Sequence, residues 1–179
     1  MKSQHPGRRV FYGVVLLATL AAPTRVPAQQ AGIRVGATAP DPVVQTFEGR
    51  TIRLSELTRG KPALLEFWAT WCPICRKLEP AMAAAQAKHG DHVRFVSVGV
   101  RDQQTLESQE AYVREHKLGG SFVFDRDGEA VKAFQVPHTS FVVVVDSSGT
   151  VVYTGVGADQ DLEAAIAQVR RASQMQRSY

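Results

Sequence analysis

Only two cysteines occur among the 179 residues, and they stand three apart in Trp71-Cys72-Pro73-Ile74-Cys75. Residues three apart on a helix are neighbours on one face, so this pair can close a disulfide. If Cys72 opens the helix, its sulfur meets unpaired backbone N–H groups and the positive end of the helix dipole, and both favour thiolate over thiol. Thiolate is the attacking species in disulfide exchange. Cys72 is therefore expected to attack a partner's disulfide, with Cys75, one turn further in, resolving the mixed intermediate. Two plainer readings compete: a static disulfide, and two unconnected core thiols.

A metal reading also has to be weighed. Cys72, Cys75, His89 and His92 give C-x2-C-x13-H-x2-H, close to a zinc-finger spacing. A helix over residues 75–89, however, puts its ends ~21 Å apart at 1.5 Å per residue, far outside one coordination sphere. No metal site is expected, and His89 and His92 read as solvated loop residues. Nothing else in the chain calls for a cofactor.

Glu66 is the second residue with chemical potential. It interrupts the apolar run Leu64-Leu65-Glu66-Phe67-Trp68, and a carboxyl buried there is costly to ionise, so its pKa should climb toward neutrality. Such a group could exchange protons with Cys75. The plainer alternative is that Glu66 reaches solvent at the strand end.

The elements that must position these residues follow from periodicity and turn chemistry. Residues 43–47 and 51–54 read as two short strands around Glu48-Gly49-Arg50, followed by a brief helix from Ser55 that ends by Gly60. Residues 63–68 suit a central strand buried on both faces, and a long helix should run from about Cys72 to Lys88. Residues 93–98 alternate as a strand and 105–117 have helical spacing. A strand at 122–124, a turn at Asp125-Arg126-Asp127-Gly128 and a short helix over 131–134 come next. A hairpin at 141–145 and 151–153 precedes an amphipathic helix from Asp159 or Asp161 to Arg170, and the polar tail from Ser173 is expected to fray. This order predicts an α/β fold: one central mixed β-sheet with helices on both faces and an N-terminal β-hairpin extension.

The first 28 residues differ from the rest. Lys2, Arg8 and Arg9 precede the apolar run Val10 to Ala22, and Val26-Pro27-Ala28 offers small residues before Gln29. That is the layout of a secretory signal peptide over residues 1–28, with a single domain over 29–179. The thirteen apolar residues reach only ~20 Å as a helix, short of the ~30 Å hydrocarbon core, so removal is expected; left uncleaved, the segment would be an N-terminal membrane anchor. Four of the 21 Lys and Arg residues, and none of the 17 acids, lie in this segment. The mature domain then has 17 of each sign, which argues against nucleic acid as a partner. Export to the periplasm or the extracytoplasmic face of the membrane places the cysteines where disulfides form and exchange.

The run Gly60-Lys61-Pro62-Ala63-Leu64-Leu65-Glu66-Phe67-Trp68-Ala69-Thr70-Trp71-Cys72-Pro73-Ile74-Cys75, continued by Arg76, Leu78, Glu79 and Pro80, resembles exported thioredoxin-like proteins of the TlpA/ResA group. The likeness extends over nearly all of residues 33–172. It implies the thioredoxin-like fold and dithiol–disulfide exchange with protein thiol or disulfide substrates, and a reductase of the cytochrome c maturation type fed by a membrane-embedded electron donor. It also implies a substrate groove made by Trp71, Pro73, Ile74, Thr139 and Ser140. Thioredoxins have an acid at the position matching Glu66, and the family's first long helix kinks at the position of Pro80. A peroxidase-type relative would have Thr or Ser where this chain has Ala69.

In one place the pattern breaks. The family has a cis-proline facing the cysteines, and the matching position here is Ser140, with Pro137 three residues earlier. Either Pro137 still supplies the bend or Thr139-Ser140 occupies the site; the full strand at 141–145 favours the second, with a trans peptide bond. The serine hydroxyl is then expected to meet a sulfur or the substrate. The direction of exchange stays open between reductase and disulfide-donating oxidant, as does a non-enzymatic binding module with a structural disulfide.

Overall fold

A computed structural model describes residues 32–176; the expected signal segment lies outside them. The chain forms one seven-stranded sheet in the order β2-β1-β5-β4-β3-β6-β7. The strands are β1 (Val43–Thr46), β2 (Thr51–Arg53), β3 (Ala63–Trp68), β4 (Arg94–Val100), β5 (Ser121–Asp125), β6 (Phe141–Val145) and β7 (Val151–Val156). The helices are α1 (Ser55–Thr58), α2 (Pro73–His89), α3 (Leu106–His116), α4 (Glu129–Ala133) and α5 (Leu162–Gln176).

β3, β4 and β5 run parallel, and β6, β7 and the β1–β2 hairpin run antiparallel. The mixed sheet follows from connection length: the parallel steps from β3 to β5 contain α2 and α3, whereas β6 and β7 turn through Asp146 to Gly149. Asp146 holds that turn, its Oδ1 accepting from the backbone of Ser148 and Thr150.

Every residue of β3 is buried, which explains why its sequence is continuous rather than alternating. Leu64 packs with Leu78, Val142, Leu162 and Ile166 under α2 and α5. Leu65 and Phe67 project from the other face, toward Phe134 after α4. Helices thus cover both faces, as expected. The last helix is longer than its amphipathic stripe suggested, running through Gln176, so the first residues of the polar tail are helical rather than frayed.

Candidate active site

Cys72 sits between the end of β3 and the start of α2, in extended conformation as the helix N-cap, with Pro73 in the first turn. Pro suits that position because its missing N–H would have no intrahelical partner there. The Cys72 sulfur takes the place usually held by a Ser or Asp oxygen and accepts the backbone N–H of Cys75 at 3.1 Å. No acidic side chain occupies the first turn, so the positive end of the helix is left to act on sulfur. Cys72 and Cys75 are joined as a disulfide with Cα atoms 5.3 Å apart, within the ordinary span for such a bond.

Both cysteines are 2% exposed. In the oxidised form the two are equally covered. The difference lies in the rim. Trp71 is 40% exposed and Ile74 46%, and Pro73 is exposed as well. Around Cys72 these side chains form an exposed apolar collar. The Trp71 indole N–H donates to the carbonyl of Asp102 at 2.8 Å, while the N–H and hydroxyl of Thr70 donate to Gln104. The loop after β4 therefore braces the approach to the motif. Beside it a cleft of about 730 Å³ is lined by Trp71, Val100, Val131, Pro137, His138 and Thr139.

The loop before β6 corrects one expectation. No peptide bond among the described residues is cis, in keeping with a non-proline residue at this position. Ser140 adopts φ +63° and is fully buried. Its hydroxyl donates to the carbonyl of Gly157 at 3.0 Å, away from the cysteines, and its N–H donates to the Phe67 carbonyl at 2.7 Å. Ser140 thus holds the loop against β3 and β7 and does not line the groove. The left-handed backbone turns the preceding residue toward the disulfide instead, and the Thr139 hydroxyl donates to Cys72 Sγ at 3.2 Å. Pro137 lines the cleft beside Thr139.

Glu66 lies in the middle of β3, paired with Ser97 on one side and Val142 on the other. It is 6% exposed, so the solvent-reaching alternative does not hold. Burial in an apolar strand, reinforced by the nearby Glu79 carboxylate, pushes its pKa up to about 8. Glu66 and Cys75 line the same cavity, of about 260 Å³, between β3, α2 and the end of α3. Glu79 lines it too and accepts the Tyr112 hydroxyl at 2.8 Å. The sequence offered one signal for Glu79: it lies four residues after Cys75, hence on the same helix face.

His89 closes α2 at the end away from the cysteines, where its Nε2 meets Glu163 of α5 at 3.0 Å. It is a tie between helices rather than a loop residue. Among the described residues no group of three or more His, Cys, Asp or Glu side chains could hold a metal ion.

A sulfur-capped helix following the fully buried strand β3, linked to a second sulfur one turn on, defines a thioredoxin-like dithiol–disulfide centre. The chain belongs to the AhpC/TSA family, whose model matches residues 35–154. It is 30% identical over 180 residues to the thiol–disulfide oxidoreductase ResA of Geobacillus kaustophilus, covering 95% of this chain and 99% of the relative. Among solved structures it is similar to the Mycobacterium tuberculosis DsbF, with a TM-score of 0.61 and 28% identity over 75% of this chain and 98% of that one. It is also similar to a secreted Mycobacterium tuberculosis disulfide oxidoreductase homologous to E. coli DsbE. There the TM-score is 0.60 and the identity 25%, covering 73% of this chain and 96% of that one. The protein is a thiol–disulfide oxidoreductase of the ResA/DsbE type.

Proposed function

We propose that the protein reduces disulfides in exported polypeptides, with Cys72 as nucleophile, Cys75 as resolving thiol and Glu66 as the proton acceptor for Cys75. The observation that carries this reading is the position of Cys72: a sulfur that caps a helix and accepts a hydroxyl hydrogen bond is stabilised as thiolate. In the first step the Cys72 thiolate attacks a substrate disulfide and expels one substrate thiolate, forming a mixed disulfide. Cys75 then loses its proton to Glu66 and attacks Cys72 Sγ. The second substrate sulfur leaves as thiolate, and the Cys72–Cys75 bond re-forms. Two electrons pass from the pair to the substrate.

Burial raises the Glu66 carboxyl toward the range in which thiols ionise, which makes it a stronger base for Cys75 than an exposed carboxylate would be. The apolar collar of Trp71, Pro73 and Ile74 suits an unfolded polypeptide, and apocytochrome c is a substrate of that kind. A membrane-embedded donor would return electrons to the pair. An extracytoplasmic location is supported by the secreted relative and by the signal-like residues 1–28. Among the described residues no helix is long and apolar enough to cross a membrane.

Turnover of a mixed-disulfide substrate by the wild type and by Cys72→Ser tests the nucleophile; equal rates would discard it. Equilibration of the pair with glutathione tests direction. A potential near the thioredoxin value of about −270 mV supports reduction, and one near the DsbA value of about −120 mV would make the protein a disulfide donor.

A further inference from the structure

Glu66 is enclosed by β3, β4 and α2, and no hydrogen bond from another described residue reaches its carboxyl. Raised to about 8, Glu66 is protonated in most molecules at neutral pH, and that proton must leave before the carboxyl can take the one on Cys75. The cavity behind the disulfide supplies the route. At about 260 Å³ it has room for several waters, and Glu66, Ser97 and Glu79 give its wall polar groups to hold them. Glu79 is the partly exposed member of this set, held at the outer side of α2 by the Tyr112 hydroxyl.

We infer that Glu79, fixed by Tyr112, is the outer station through which protons pass between Glu66 and solvent. The inference rests on the proposed role of Glu66. Glu66 first passes its proton through cavity water to Glu79 and out, and the resulting carboxylate then takes the proton of Cys75; no other reactant is consumed.

Charged groups face this set from α2 and α3. From α2, Arg76 lies close enough to act on Tyr112, and from α3 so does Glu115. His116 stacks on Tyr112 with ring centroids 4.0 Å apart and, with Lys117, lines the cavity mouth. β3 and β4 present no titratable side chain to the cavity besides Glu66.

The reduced full-length protein, challenged with excess dithiodipyridine, gives two releases of pyridinethione: one when Cys72 is captured, one when Cys75 resolves the adduct. In Glu79→Gln at low buffer concentration the second release is expected to slow roughly tenfold while the first is unchanged. Imidazole should restore it in proportion to concentration by serving as the missing station. Tyr112→Phe should give a smaller slowing of the same kind. Glu66→Gln should slow the second release without rescue. If Glu79→Gln resolves at the wild-type rate at every imidazole concentration while Glu66→Gln is slow, the relay is wrong and the Glu66 role stands. If Glu66→Gln is also unimpaired, both fall.

Discussion

The hydroxyl of Thr139 lies 3.2 Å from the sulfur of Cys72, although the two residues are 67 apart in the chain. The contact exists because Ser140, the next residue, is locked in a left-handed conformation by bonds to Phe67 and Gly157. Once Cys72 is reduced, the same hydroxyl can donate to a thiolate, where a hydrogen bond is stronger than to neutral sulfur.

Replacing Thr139 with Val keeps the shape and removes the donor. The Cys72 thiolate then loses one hydrogen bond, and its pKa should rise by up to about one unit. The reduced form is destabilised with it, so the pair becomes more reducing. Titration of thiolate ultraviolet absorbance in the reduced protein checks this, and a lowered or unchanged pKa contradicts it.

Glu66 makes stability depend on pH. Its folded pKa of about 8 lies above the unfolded value of 4.5, so between those limits the folded state binds more protons than the unfolded one. Stability is therefore fullest below pH 4.5 as far as this group is concerned, and falls as pH rises toward 8. The loss is on the order of a few kcal/mol. Glu66→Gln should flatten the slope and unfold later in urea than the wild type at the alkaline end. Parallel pH dependences in the two proteins would show that Glu66 is not the group responsible.

Cys75→Ser should trap what the wild type only passes through. With the resolving thiol gone, a substrate bound through Cys72 cannot be expelled, and the adduct should persist on a non-reducing gel. Disappearance of the adduct on addition of dithiothreitol would confirm its linkage; failure to accumulate would show that Cys72 does not attack first.

Leu78, one turn beyond Cys75, is fully buried between α2 and the sheet. Leu78→Ala should cost about 2–5 kcal/mol, read as a lower urea midpoint with an unchanged slope. A loss well under 1 kcal/mol would mean that the helix settles into the space.

Much of this was legible from residues alone. The pair Cys72 and Cys75 announced itself because a strand-to-helix junction can be read from hydropathy and Pro73, and the junction fixes the electrostatics. Glu66 was legible as a buried acid for the same reason: the run around it leaves no polar face. What resisted reading lies where the backbone departs from regular dihedrals. Ser140 stands where the family has proline, so the sequence pointed to its hydroxyl; a φ of +63° rotates that hydroxyl away and brings in Thr139. Glu79 was visible on the helix face of Cys75, but its place beside Glu66 depends on how α2 lies against the sheet, and its bond to Tyr112 on how α3 lies against α2, which no local pattern encodes. His89 looked solvated because its partner, Glu163, sits 74 residues away in the chain.

The two tryptophans flank the motif in opposite environments: Trp68 is 3% exposed and packed against Tyr112 and Phe122, while Trp71 is 40% exposed on the collar. The molecule therefore has a blue emitter inside and a red emitter at its mouth, each near the sulfurs. Opening the disulfide and seating a polypeptide would alter different parts of one emission spectrum, so the protein's own fluorescence can time the electron step and the docking step separately, without any label.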